Sequence, residues 1–275
     1  MEEVVRLTTY EKRIRREVEQ WQRGGSSMLA LAFTVVMKPV DWVIEQAVPA
    51  EIVDQAGSAV EEFLAVLSDA SKWTTDTDKI LAAAKGRGID ADRIEDLRDR
   101  PLEELDDLAR SFFGENTILA TLSGGGTGLG GAVLIAADIP LLFMINLRLI
   151  QQISAAYGFP MIGPEYRPVV LSIYNAAAAN EPAARGAAMR EIGVAAASFA
   201  GDAAYRGKVR GTIPDQSRHV PREVAKNIVG RKLLQTIPLA GMAVGAGINY
   251  WFTREAANTT FMLLRGLFVE YKERL

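Results

Sequence analysis

Leu7, Tyr10, Ile14, Val18 and Trp21 recur at three- and four-residue spacing, while Arg13, Arg15, Arg16 and Arg23 fill the other faces. That period predicts an amphipathic helix over residues 4–23. Thr8 and Glu11 offer a capping box at its start, and Gly24-Gly25 end it. A second helix is predicted through SSMLALAFTVVMKPVDWVIEQ, interrupted at Pro39 where the ring removes a backbone donor, and a third over residues 51–73. Thr75-Asp76-Thr77-Asp78 supplies capping oxygens for a short helix to Lys85. Pro101 suits the first turn of a helix reading PLEELDDLARSFF. Alanine-rich helices follow over 167–179 and 183–204, with Gly201 and Gly207 marking the end. No alternating run bounded by hairpin turns appears, so the expected class is all-α, a multi-helix bundle with little or no β.

The texture changes after Glu115. Residues 116–137, 22 in number, carry no charge, and neither do the 21 residues 233–253. Such lengths are compatible with a bilayer, but glycine, serine, threonine and Pro238 keep both only weakly hydrophobic, so buried core helices and inserted hairpins both stay open. Charge is unevenly spread around a net of -3. Residues 86–115 hold ten acidic side chains against five arginines. By contrast Arg206, Lys208, Arg210, Arg218, Arg222, Lys226, Arg231 and Lys232 face only Asp215 and Glu223. The net charge gives no pull toward nucleic acid, but this basic segment, just ahead of the second uncharged run, suits an anionic membrane surface.

The chain has 275 residues, no cysteine and one histidine, His219, in a polar loop. Disulfides, thiolate metal sites and zinc motifs needing two histidines are thereby excluded, and neither a metal nor a cofactor is expected. The charged N-terminus is unlike a signal peptide, which suggests a cytoplasmic protein, peripheral at the inner membrane.

In SGGGTGLGGAVLIAADIP, Gly126, Gly128 and Gly131 satisfy the spacing of a dinucleotide-binding loop. The rest of that fingerprint is missing: residues 144–156 contain no carboxylate to hold a ribose and no second strand. The competing account is close packing, with Gly124 and Gly128, or Gly126 and Gly130, one turn apart. Gly241 and Gly245 repeat the arrangement 115 positions after Gly126 and Gly130, each pair preceded by a Thr-aliphatic dipeptide. Two related glycine-rich apolar hairpins packed against each other are expected.

The glycine-rich run with Ala137-Asp138-Ile139-Pro140, then Arg148-Leu149-Ile150 and Ala156-Tyr157-Gly158, resembles the EcsC protein family. So does the block from Pro238-Leu239-Ala240-Gly241 to Asn249-Tyr250, and Lys38-Pro39-Val40 with Pro49 is similar to the family's N-terminal helical region. The resemblance implies a mostly helical bacterial protein, in some genomes encoded beside an ABC exporter, with no established reaction. A peptidase assignment attached to some members finds no support here, for want of a zinc-ligand set. On this reading residues 1–25 form the amphipathic helix and 26–275 one EcsC-like domain, charged over 26–115 and glycine-rich over 116–275.

Asp138 lies in an apolar context and has three readings: cap of a helix beginning at Pro140, interhelical ion pair with Arg254 or Lys232, or catalytic and ligand-binding group. Arg148, ten residues on, is out of its reach along a helix and should meet another element. Asn146 and Asn249 suit hydrogen bonds across helices or a polar spot in a pocket. The expected function is non-enzymatic, at a membrane surface or on an apolar ligand, with the exposed stripe of the first helix available to another protein. The alternative is a carboxylate-dependent enzyme using Asp138 in a helical pocket.

Overall fold

The computed structural model describes residues 7–24, 75–127, 131–179, 181–201 and 241–275. All regular structure among them is helical, without a strand. In chain order the helices are α1 (Thr9–Arg23), α2 (Thr77–Lys85), α3 (Leu102–Thr127), α4 (Gly131–Ala156), α5 (Arg167–Ala179), α6 (Pro182–Phe199) and α7 (Gly241–Glu273). Short 3-10 turns cover Ile94–Asp99 and Pro164–Tyr166. The helices predicted between residues 26 and 73, and the segment 202–240 with His219 and all eight basic residues from Arg206 to Lys232, lie outside the described residues.

Local signals act where the sequence places them. Thr8 caps α1, its hydroxyl accepting from the Glu11 N–H while Glu11 accepts from the Thr8 N–H at 2.7 Å. The Asp76 carboxylate caps α2 at 3.0 Å from the Lys79 N–H. Pro101 precedes α3, where a missing N–H costs nothing. The helix that Pro101 opens is long: α3 runs on through Gly124, Gly125 and Gly126. Glycine is unfavourable in a helix by about 1 kcal/mol each against alanine, so packing must hold these turns.

α7 is the axis of the bundle. At 33 residues it is about 50 Å long and packs on α3, α4, α5, α6 and α1. α3 and α4 form an antiparallel hairpin on one side of it; α5 and α6 pair on another. The amphipathic α1 lies across the end of α7 remote from the glycines, with Ile14 fully buried and Val18 nearly so. Its apolar stripe, expected to await another protein, is therefore covered by this chain's own body.

Charge fixes that seat as much as apolar area does. Buried Arg185 of α6 donates to the carbonyls of Trp21 and Gly24 at 2.9 and 3.0 Å, satisfying orphan acceptors at the end of α1, and its guanidinium lies over the Trp21 ring. Buried Glu11 pairs with Lys272 at 2.6 Å. Buried Asp106 accepts from the hydroxyls of Tyr10 at 2.8 Å and Tyr157 at 2.6 Å, and pairs with Arg265 at 3.0 Å; Arg265 also reaches Glu17 at 3.1 Å. Burial dominates and raises the Asp106 carboxyl above its ordinary range, although the tyrosines and Arg265 pull it down. Tyr157 is followed by Gly158 in the left-handed region, φ 81°, where a Cβ would strike Arg98. Arg98 donates to the Gly158 carbonyl and stacks over Phe159 and Phe199.

Candidate functional site

At the opposite end, α3, α4 and α7 meet in a polar layer inside apolar helices. Gly124 of α3 lies against Gly245 of α7 so closely that a Cβ on Gly124 would run into the Gly245 carbonyl and come within 2.5 Å of the Asn249 amide nitrogen. One turn away, Asn249 Nδ2 donates to the Ala120 carbonyl at 2.9 Å and to Asp138 Oδ1 at 3.2 Å. Ser123 donates to the same Asp138 oxygen at 2.7 Å. Asp138 and Asn249 are fully buried. The three helices are thus joined by one carboxyl group accepting from its neighbours, as a buried polar side chain requires.

Further layers repeat the logic. Asn146 of α4 donates to its own Leu142 carbonyl at 2.8 Å and to Thr253 of α7 at 3.2 Å. Asn116 of α3 donates to the Phe112 carbonyl and to Gln152 of α4, both at 2.8 Å. Among the described residues the Oδ1 atoms of Asn116, Asn146 and Asn249 meet no donor and add acceptor capacity to this interior.

The candidate residues fall into distinct places. Asp138 is not a cap: it sits seven residues inside α4, with Pro140 accommodated within the same helix. Arg254, offered as its partner, instead turns its guanidinium over the Phe113 ring at 5.9 Å, and Lys232 lies outside the described residues. Arg148 is exposed and pairs with Glu115 of α3 at 3.0 Å; Glu115 also takes Lys79 of α2 at 2.5 Å. Those two cations hold the Glu115 carboxyl below its usual range. Of the glycines, Gly124 and Gly245 make the crossing. Gly126 is exposed, and among the described residues nothing outside its own helix backbone comes within 4 Å of where a Cβ would stand, so it makes no close crossing with a described helix. Gly241 opens α7, and Gly128 and Gly130 lie outside the described residues.

Among the described residues, grooves of about 370 and 380 Å³ flank α1, one against α6 and α7 and the other against the start of α3. Asp138 lines neither. Among the described residues no group of three or more His, Asp or Glu side chains is placed to hold a metal ion. One stretch there, residues 138–156, is long and apolar enough to cross a membrane, but 72% of it is buried, as a core helix requires.

Large apolar side chains exposed to solvent concentrate at the glycine end. Five of the seven among the described residues are Ile118, Leu119 and Leu122 of α3, Leu141 of α4 and Tyr250 of α7; Ile118 and Leu122 are 61% and 69% exposed. On α3 they continue by single turns the face that carries Glu115, and Leu141 lies two turns from Arg148. Sequence reading missed this cluster, because the uncharged run that supplies Ile118, Leu119 and Leu122 also supplies buried residues such as Thr117 and Ala120.

These features define an all-α bundle whose glycine-rich end is clasped by buried hydrogen bonds and presents aliphatic side chains outward. The chain belongs to the EcsC protein family, matched over residues 12–266. It is 24% identical to the uncharacterized protein YdbA of Bacillus subtilis over 258 residues, covering 91% of this chain and 89% of that protein. Over 76 residues it is 33% identical to Protein EcsC of the same organism, covering 28% of this chain and 32% of that one. No solved structure matches it.

Proposed function

We propose that this EcsC-family protein works at the surface of an anionic membrane without catalysing a reaction. The observation that carries the reading is the concentration of exposed aliphatic side chains at the glycine end, with Ile118, Leu119 and Leu122 on one face of α3, since exposed apolar surface gathered in one place marks an interaction site. The basic segment 206–232 supports it, because lysines and arginines near anionic headgroups contribute about 1 kcal/mol each. An accessory role beside an ABC exporter, implied by the family resemblance, is compatible with residence at the same bilayer. Asp138, fully buried, accepts hydrogen bonds from Ser123 and Asn249, which supports a structural use of this carboxylate.

Vesicle flotation tests the reading. The protein is expected to float with phosphatidylglycerol vesicles and poorly with phosphatidylcholine, and salt is expected to weaken the binding, because exposed charges are screened beyond about 8 Å at physiological ionic strength. Replacing Arg206, Lys208 and Arg210 together by Gln should cost roughly 3 kcal/mol of binding if all three reach the surface. Absence of flotation on every vesicle would overturn the proposal.

A further inference from the structure

The register of α3, α4 and α7 places charged residues at one level around the bundle. Asn249 reaches the Ala120 carbonyl and Gly245 meets Gly124. Five residues beyond the Asn249–Ala120 contact on each antiparallel helix stand Arg254 and Glu115. Glu115 pairs at that level with Arg148 of α4 and Lys79 of α2. Arg254, Glu115, Arg148 and Lys79 thus form a collar. Beyond it, residues 116–127 of α3, 131–147 of α4 and 241–253 of α7 contain a single charged residue, the buried Asp138. α3 and α7 extend past the collar by about 18 and 20 Å at 1.5 Å per residue, between the half-thickness and full thickness of a hydrocarbon core of about 30 Å.

Packing also changes character toward the glycine end of the bundle. Below the collar the bundle is held as water-soluble proteins are, by aromatic contacts such as Phe159 with Phe268 and Tyr271, and by the Asp106 and Arg265 ion pairs. Above it Phe143 of α4 and Phe252 of α7 still pack on Tyr174 of α5, and beyond that layer α3, α4 and α7 meet through a glycine crossing and through hydrogen bonds from Ser123 and Asn249. Small-residue contact and interhelical hydrogen bonds are what remain to hold helices together where lipid removes the hydrophobic driving force. The outward side chains match: Ile118, Leu119, Leu122 and Leu141 are aliphatic, without the arginine and tryptophan enriched in protein–protein hot spots, and Tyr250 suits the headgroup boundary.

We infer that the end of the bundle beyond the collar, built chiefly on α3, α4 and α7, embeds in one leaflet of the bilayer, with Lys79, Glu115, Arg148 and Arg254 at the headgroups and the body below them in water. This rests on the membrane-surface reading and names its contact. It makes the protein monotopic, entering tip first, and not merely adsorbed through its basic segment.

The native absence of cysteine permits a direct experiment. Leu122→Cys, Gly126→Cys and Leu141→Cys, with exposed Glu103→Cys as the body control, are labelled singly with an environment-sensitive fluorophore and mixed with phosphatidylglycerol–phosphatidylethanolamine vesicles. Circular dichroism verifies each fold, and the three tip positions guard against one label perturbing the result. The tip labels should brighten several-fold, shift to shorter wavelength and be quenched by spin labels on the acyl chains, while the Glu103 label stays in water. Flotation with tip labels that remain in water, or that only headgroup quenchers reach, overturns the embedding and leaves surface attachment standing. Loss of flotation itself overturns both.

Discussion

Gly124 and Gly126 stand two positions apart in one helix and differ in what surrounds them. Alanine at Gly126 meets nothing within 4 Å and should stabilise the protein by up to about 1 kcal/mol through helix propensity. Alanine at Gly124 should instead destabilise by about 1 to 3 kcal/mol, because its methyl group is driven into the Gly245 carbonyl and Asn249. Thermal melts of the two variants shifting in the same direction would refute the glycine crossing. Asp106 offers a test by pH. Its folded-state carboxyl is raised above the unfolded value by burial, so the folded protein binds the extra proton between those two values. The corresponding stability is present below the unfolded value and is lost as pH rises through the folded one. Asp106→Asn should be less stable overall, with Arg265 deprived of an ion partner, yet should lack that decline when denaturant titrations are compared across acidic and neutral pH. A decline of the same size in the variant would assign it to other groups.

At the scale of an element, α1 shows why amphipathicity alone does not identify a partner. Its stripe of Tyr10, Ile14, Val18 and Trp21 was legible from spacing, and so was its capping box. That the stripe is filled internally follows from Arg185, Arg265 and Lys272, which come from helices far along the chain. Arg185→Ala removes the donor to the Trp21 and Gly24 carbonyls together with the contact on the Trp21 ring. Charged hydrogen bonds contribute about 1.5 to 3 kcal/mol each, so α1 should loosen. Hydrogen exchange should then accelerate in residues 9–23 while α3 and α4 keep their protection; unchanged exchange in α1 would refute the anchoring role.

For the whole molecule, the exposed aliphatic residues and the core should respond differently to the same chemistry. Leu119→Ser with Leu122→Ser alters side chains already in solvent, so each change should shift stability by about 0.5 kcal/mol or less. The double variant should float less well with anionic vesicles and keep its melting temperature; retained flotation would show that the membrane contact lies elsewhere. The sequence by itself determined the helical class, the caps of α1 and α2, the start of α3, the charge-free runs and the basic segment. Each depends on residues within a few turns of one another, and local periodicity, capping and charge report such things directly. Only the tertiary structure decided that Gly124 and not Gly126 makes the crossing, that Asp138 lies inside α4 joined to Ser123 and Asn249, and that Glu115, Arg148 and Arg254 share one level. These depend on the register between helices distant in the chain. A shift of one residue in that register would turn each side chain by about 100°, and no local pattern specifies it.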